Sequence, residues 1–191
     1  MSGDEPQRRL PRPPTPERLH ARALRYLERY ATTAAHLRRV LLRRALRDAQ
    51  ALGIDAERVR ADVDTIVGRV SAAGLIDDGL FALTLARRLA AWGRSPARIR
   101  AALAAKGLTE SAVAEALCRL QEEEGDPELA AAIAFARRRR LGPWRPAGSR
   151  AEQRGQDLAA LGRAGFGYRA VRLVVEADDP ESLEDEVRTR R

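Results

Sequence analysis

The sequence has very little cysteine, histidine and aromatic content. Its one cysteine, Cys118, cannot form an internal disulfide, and its two histidines, His20 and His36, have no cysteine partner at the spacing of zinc ligands. Aromatic residues make up 4% of the chain, so a hydrophobic core must be mostly aliphatic. These shortages exclude a disulfide-stapled fold and a zinc motif, and we expect neither a metal nor another cofactor.

Long apolar stretches are missing as well. The longest, from Leu129 to Ala136, has eight residues, whereas a helix that spans a bilayer needs about 20. The N-terminal segment is rich in proline and arginine and lacks the apolar stretch of a signal peptide. We therefore expect a cytoplasmic protein that has no membrane partner.

Lysine is almost absent from an otherwise basic chain. Of the 35 basic residues, 34 are arginine and one is Lys106, and the formal net charge is +8. Arginine and alanine both favour helix, and 36 alanines are present. The charge is segregated along the chain into basic and acidic blocks. The basic blocks are 17–50, 94–106 and 127–150, and the acidic blocks are 107–126 and 176–191.

Signals for helix starts and stops recur along the chain, with apolar residues spaced between them. The clearest apolar stripe, from Val59 to Val70, follows the period of a helix. Capping residues precede predicted helices at Thr15, Asp55, Ser95, Thr109 and Asp126. Glycines fall at predicted helix ends at Gly53, Gly74, Gly93, Gly107, Gly125, Gly142 and Gly165. No alternating strand pattern occurs, so the sequence predicts nine helices and no β-sheet.

An internal repeat relates two parts of the chain. Residues 103–117 align with residues 161–175 at an offset of 58, and a weaker copy surrounds Gly53. The unit is a short helix, a glycine, an apolar residue that fills the turn, and a second helix. The sequence therefore predicts an all-α fold, a tandem and elongated array of three three-helix repeats. The predicted segments are a disordered arm over 1–14, repeats over 15–76, 77–125 and 126–176, and a disordered acidic tail over 177–191.

Three motifs resemble the RecX family of regulatory proteins. They are GLIDDGLFA at 74–82, GRSPARIRAALAAKGL at 93–108 and an L-x-x-x-G-F segment at 161–166, and they stand in the order expected of that family. The resemblance covers about residues 19–176. The chain departs from the family's pattern at Leu80, where a basic residue is usual, and in two lengthened segments, 45–53 and 141–150.

The resemblance implies a modulator of the RecA recombinase that has no catalytic activity of its own. Such a protein binds along the groove of the RecA–DNA filament and mainly inhibits strand exchange and the coupled ATP hydrolysis, in DNA repair and the SOS response. RecA is then the principal partner, and single- and double-stranded DNA are weaker partners of the basic face. A monomer is expected.

The candidate contact residues are cations on the basic helices, because guanidinium groups suit both carboxylates and phosphates. They are Arg43, Arg44, Arg87, Arg88, Arg94, Arg98, Lys106, Arg137, Arg138, Arg139 and Arg140. Of the two tryptophans, Trp144 in a Pro/Gly loop is the better candidate for a contact, whereas Trp92 continues an apolar stripe and is expected in the core. The acidic tail is a candidate competitor of nucleic acid for the basic face.

Two other functions stay open at this point. A direct DNA-binding regulator would use the helix-glycine-helix units as helix-turn-helix modules, although the helix that would enter the groove carries acids at Glu110, Glu115 and 122–124. An enzyme would need a convergent nucleophile, base or metal set, and none is evident. The adjacent Asp77 and Asp78 stand where a helix begins, and we interpret them as capping residues.

Overall fold

Residues 12–189 are described by the computed structural model, and every regular element in them is helical. The α-helices are α1 (Pro16–Leu27), α2 (Ala34–Leu52), α3 (Ala56–Ala72), α4 (Asp78–Ala91), α5 (Pro96–Ala105), α6 (Glu110–Glu124), α7 (Pro127–Arg139), α8 (Arg150–Arg163), α9 (Tyr168–Glu176) and α10 (Pro180–Thr189). Two 3₁₀ turns, Gly142–Trp144 and Ala147–Ser149, lie between α7 and α8. Most of the arm predicted over 1–14 lies outside the described residues.

Capping side chains explain where several helices begin. The predicted caps accept a hydrogen bond from a backbone N–H of the first helical turn at Thr15, Asp55, Thr109 and Asp126. Thr33, which we did not predict, caps α2 in the same way, accepting from the His36 N–H at 3.1 Å. Each such bond stabilises a helix by about 1 kcal/mol. Ser95 has the extended backbone of a cap, but its hydroxyl bonds elsewhere.

The chain divides between Asp77 and Asp78 into two compact units, called here unit 1 and unit 2. Unit 1 holds α1 to α3 around an aliphatic core in which Leu37, Leu41 and Val63 are fully buried. The stripe predicted from Val59 to Val70 is the buried side of α3. Burying a leucine or valine side chain contributes roughly 1.5–3 kcal/mol, so apolar packing dominates the stability of this unit.

Unit 2 has two neighbouring cores. The first lies among α4, α5 and α6 and includes Leu103 and Leu120, and the second lies among α7, α8 and α9 and includes Leu129 and Leu161. Helix α4 packs directly against α7, which joins the two groups of helices within the unit. Within residues 12–189, no helix combines the length and the hydropathy that a bilayer crossing requires.

The internal repeat has the same structure in both of its clear copies. Helices α5 and α8 are each followed by a glycine at positive φ, Gly107 at 81° and Gly165 at 88°. The next residue fills the turn, since Leu108 is 7% exposed and Phe166 is 6% exposed. A second helix then starts, α6 in one copy and α9 in the other. The predicted all-α fold of helical repeats is thereby confirmed.

Two predictions about the fold were wrong. The described residues contain ten α-helices, not nine, because the segment expected to be a disordered acidic tail holds α10. Leu183 explains the difference, since it is 2% exposed and is buried in the core of α7, α8 and α9. Trp92, expected in the core, is 57% exposed, because it comes after the last residue of α4, in the turn that leads to Gly93.

Candidate functional site

Five arginines of unit 2 line one groove, called here the arginine groove. It has a volume of about 650 Å³, and its other walls include Phe135, Leu141 and Ala160. The five arginines are Arg94, Arg98, Arg138, Arg139 and Arg163. They come from three separate segments of the chain: the α4–α5 turn with the start of α5, the end of α7 and the end of α8.

Arg98 is held by the backbone at the end of α8. Its guanidinium Nε donates to the Ala164 carbonyl at 3.0 Å, and its Nη2 donates to the Arg163 carbonyl at 3.3 Å. The buried hydroxyl of Ser95 donates to the same Ala164 carbonyl at 2.7 Å. These carbonyls end a helix and have no intrahelical partner, so the side chains cap α8 while fixing the position of Arg98.

The last turn of α7 supplies the opposite wall. Arg138 donates to the backbone carbonyl of Trp92, which ties the end of α7 to the end of α4. The guanidinium of Arg139 lies over the ring of Phe135, 5.5 Å from its centroid, in a cation–π contact. Both cations are therefore oriented by groups that leave their positive charge uncompensated.

All the charged residues that line the arginine groove are positive. None of its lining residues is acidic, and among residues 12–189 none of the five guanidinium groups forms an ion pair. Arginine does not lose its proton in proteins, and a concave surface concentrates the field of its charges. The arrangement can therefore bind an anion with several oxygen atoms, such as a carboxylate or a phosphate.

Other predicted contact residues are paired within the protein. The Arg87 guanidinium on α4 donates to Glu123 on α6, with Nε 2.7 Å from Oε2, which raises the pKa of Arg87 and lowers the pKa of Glu123. Arg137 on α7 pairs with Glu184 of α10 and lies 5.9 Å from the centroid of the Trp144 ring. The acidic segment thus contacts one predicted basic residue directly.

The remaining predicted cations do not line the arginine groove. Arg88 and Arg140 are exposed, and Lys106 is the residue that follows the end of α5. Arg43 and Arg44 lie on α2 in unit 1 and are also exposed, and Arg44 is 3.5 Å from the Asp48 carboxylate. Of the eleven predicted residues, the structure therefore brings together Arg94, Arg98, Arg138 and Arg139.

Unit 1 has a basic groove of its own between α1 and α2, with a volume of about 500 Å³. Its charged lining residues are Arg12, Arg18, Arg22, Arg25, Arg44 and Asp48. Burial lowers the pKa of the Arg22 guanidinium, and the positive charge of Arg44 lowers it further. A lowered pKa means that burial and the neighbouring positive charge make the charged form of Arg22 less favourable than it is in water.

Sequence reasoning missed Arg163 and, in unit 1, the α1 arginines. Arg163 stands alone in its segment, so it does not stand out in a search for basic clusters. No signal in the sequence places this residue beside the start of α5, because the hydrogen bonds that join the two segments link residues 65 to 69 positions apart. Among residues 12–189, no group of three or more His, Cys, Asp or Glu side chains is placed to hold a metal ion.

Comparison with known proteins places the chain in a family. Residues 77–117 match the family model described as RecX, second three-helix domain. A regulatory protein RecX of Myxococcus xanthus (strain DK1622) is 38% identical over 169 residues, covering 88% of this chain and 89% of that protein. A regulatory protein RecX of Xanthomonas campestris pv. campestris (strain B100) is 34% identical over 132 residues, covering 69% and 75%.

A solved structure has the same fold. The crystal structure of a regulatory protein RecX superimposes with a TM-score of 0.56 at 21% sequence identity, covering 84% of this chain and 71% of that chain. With a relative more than a third identical over most of both chains and a matching helical fold, the chain belongs to the RecX family.

Proposed function

We propose that the protein regulates RecA, binding the RecA–DNA filament in its groove and limiting strand exchange and the coupled ATP hydrolysis. The proposal is supported by the family, whose curated relatives are named regulatory proteins. The regulator acts by binding and has no catalytic activity. It works as a monomer in the cytoplasm, where the filament forms, through three repeats spanning 15–76, 77–125 and 126–176.

The observation that carries the proposal is the arginine groove, with five cations and no acidic lining residue. A RecA–DNA filament presents phosphates and protein carboxylates, and guanidinium groups form strong, paired hydrogen bonds with both. Positive potential also speeds the encounter with a polyanion and makes binding weaker as salt rises. A basic, concave surface on a helical repeat is therefore well suited to this partner.

The test is RecA-dependent ATP hydrolysis on single-stranded DNA, titrated with this protein. We expect inhibition at micromolar concentration, and we expect the double variant Arg94→Glu/Arg139→Glu to inhibit at least about tenfold more weakly, because two positive charges of the groove become negative. Neither side chain makes a hydrogen bond in the described structure, so circular dichroism should show unchanged helicity. No change in hydrolysis at any concentration of the wild-type protein would disprove the proposal.

A matched control separates the groove from total charge. The variant Arg58→Glu/Arg100→Glu changes the net charge equally, and both of these arginines are exposed and lie outside either groove. We expect it to inhibit nearly as well as the wild type. Equal loss in both double variants would mean that overall charge, and not the arginine groove, governs binding.

The alternative is a DNA-binding regulator that uses its helix-turn-helix-like units directly. Helices α5 and α6 with their short turn have the required order, but α6 is acidic and its last turn ends with three glutamates. Those charges would face DNA phosphates if α6 entered a groove, which disfavours this function. It predicts preference for one duplex sequence over another in a gel-shift experiment, whereas a binder of phosphates alone shows none.

A further inference from the structure

We propose that α10 is an autoinhibitory helix. Docked on α7, it withholds Arg137 from anionic partners through the carboxylate of Glu184, and when it swings away it adds Arg137 to the binding surface. The inference rests on the proposed function, since it names a device within the same chain that adjusts how strongly the regulator's basic surface binds.

Helix α10 is attached to the rest of unit 2 by few side chains. Among the α10 side chains that the structure describes, Leu183 alone is fully buried, and Val187 is partly buried against the same core. Glu184 and Arg137 are each about half exposed in their ion pair. A groove of about 560 Å³ lies between α10 and α9, so α10 is supported mainly on the side of α7.

The helix also has little stability of its own. It has ten residues, whereas isolated helices shorter than about 12–15 residues are marginal in water. Four acids fall within it, Glu181, Glu184, Asp185 and Glu186, and like charges this close repel each other. Segments with few buried contacts open at a free energy well below that of global unfolding. Helix α10 therefore undocks and docks again while the rest of unit 2 stays folded.

The chain just before α10 is held in place and provides a hinge. Arg150 at the start of α8 donates to the Asp178 carbonyl and to the Pro143 carbonyl, both at 2.6 Å, and so joins the two segments. Asp179 then caps α10 by accepting a hydrogen bond from the Ser182 N–H at 2.8 Å. The fixed point at Asp178 lets the helix beyond it turn away without separating from unit 2.

Undocking changes the charge at the end of α7. Arg137 precedes Arg138 and Arg139 in the last turn of that helix, and the latter two line the arginine groove. With α10 docked, Glu184 neutralises Arg137. With α10 away, the Trp144 ring, whose centroid is 5.9 Å from the guanidinium, still supports Arg137 in a cation–π contact. The end of α7 then presents three consecutive cations instead of two.

A tethered acidic helix of this kind discriminates between anions. A linked segment competes at a high effective concentration, so even weak docking excludes a ligand that carries a single carboxylate or phosphate. A partner with a dense array of negative charges is drawn more strongly to the basic surface and displaces α10. The device therefore favours polyanionic partners over isolated anions.

The first experiment measures hydrogen exchange of the full chain with no partner present. We expect amides 184–189, which donate within α10, to exchange at least about tenfold faster than the interior amides of α9. Higher salt should widen this difference, because salt screens the exposed pair of Glu184 and Arg137. Leu183→Ala should remove most of the protection of α10 while the amides of α7 and α8 keep theirs.

The second experiment measures binding of heparin, a polyanion rich in sulfates and carboxylates, to two variants of equal net charge. Glu184→Gln removes the partner of Arg137, whereas Glu181→Gln changes an exposed acid of the same helix that forms no ion pair among residues 12–189. We expect Glu184→Gln to bind heparin about two- to fivefold more tightly than Glu181→Gln, which is the effect of one exposed ion pair. In an Arg137→Gln background the two variants should bind equally.

Three results would overturn the inference. They are exchange of α10 as slow as that of α9, equal heparin affinity of the two glutamine variants, and a difference between them that persists without Arg137. None of these measurements requires a recombinase. If the wild-type protein left RecA-dependent ATP hydrolysis unchanged while the heparin difference held, the proposed function would fail and α10 would still act as described. If the protein inhibited RecA, and Glu184→Gln and Glu181→Gln inhibited equally, only the autoinhibitory role would fail.

Discussion

Asp157 on α8 holds the segment 141–150 in place. It is 1% exposed and accepts hydrogen bonds from the Arg145 Nε and Nη2, both at 2.7 Å, and from the Gly142 N–H at 2.9 Å. Burial raises the pKa of this carboxyl, but the hydrogen bonds from Arg145 and Gly142 lower it, and the net direction is down. One carboxylate thus anchors the segment between α7 and α8.

Replacing Asp157 with alanine should destabilise the protein by about 3 kcal/mol, because Arg145 then loses the partner of a largely buried pair. A pKa below its unfolded value means that the stabilisation is complete above about pH 4 and is lost as the pH falls through the folded-state pKa. Urea unfolding at pH 7 and at lower pH should therefore show a difference between wild type and variant that shrinks in acid.

The exposed pair of Arg38 and Asp64 provides the control for this substitution. Both side chains are about half exposed, and such pairs contribute between about 0 and 1 kcal/mol. If Asp64→Ala destabilised the protein as much as Asp157→Ala, or if the Asp157 effect grew in acid, the role given to the buried carboxylate would be wrong.

At the scale of elements, the contact between α4 and α7 depends on one glycine. Gly93 follows α4 with a φ of +68°, and a Cβ built there would lie 2.6 Å from the Phe135 nitrogen and 2.9 Å from the Ala131 carbonyl oxygen. Both neighbours are backbone atoms of α7, which cannot move without shifting the helix. The glycine therefore sets how closely the two helices approach, and with it the shape of the arginine groove.

Gly93→Ala should destabilise the protein by about 3 kcal/mol, from a left-handed backbone and an overlap with α7. Gly53→Ala is the matched control, since Gly53 has a φ of +67° but no atom within 4 Å of a built Cβ, and should cost only about 1 kcal/mol. Thermal unfolding of both variants gives the comparison. Equal losses of stability in the two variants would mean that the close packing of α4 on α7 contributes nothing to the effect of Gly93→Ala.

Helix α10 shows how packing can override composition. Its sequence is acidic and polar enough to predict disorder, yet Leu183 enters the core of the preceding helices and Arg150 bonds the Asp178 carbonyl at 2.6 Å. Glu184 then pairs with Arg137 on α7. The acidic segment consequently occupies one predicted basic residue and leaves the arginine groove open.

At the scale of the whole molecule, the net charge of +8 does not tell which arginines have a carboxylate partner and which do not. Carboxylates neutralise arginines at several packed surfaces, such as Arg38 with Asp64 and Arg154 with Glu176. Each unit nevertheless keeps five arginines around a groove, the first with a single acid and the second with none. The capacity to bind an anion therefore depends on where arginines remain without a carboxylate partner, and the net charge gives little information about it.

A positive charge that serves to bind an anion should lower the stability of the fold, and a substitution of Arg22 tests this expectation. Since burial and Arg44 lower its pKa, its charged form is disfavoured in the fold, and Arg22→Gln should raise the melting temperature while weakening the proposed inhibition of RecA. Arg58→Gln, at an exposed site outside both grooves, should alter neither. A melting temperature lowered by Arg22→Gln would show instead that this cation stabilises unit 1.

The local features of this protein follow from its sequence. Threonine and aspartate caps, glycines at helix ends and apolar residues at helical spacing act over a few residues, so their effects can be derived without the rest of the chain. For the same reason the repeat and its plugging residues Leu108 and Phe166 were predictable. The motifs at 74–82, 93–108 and 161–166 also indicated the family.

Tertiary structure decided which of the 34 arginines line a common groove. Arg98 and Arg163 are 65 residues apart, and Ser95 gives up its capping role for a carbonyl 69 residues away, so neither contact can be derived from neighbouring residues. The groove exists because α4 meets α7 closely and α5 meets the end of α8. The sequence states which side chains are charged. Whether a carboxylate neutralises a given arginine depends on packing between segments far apart along the chain.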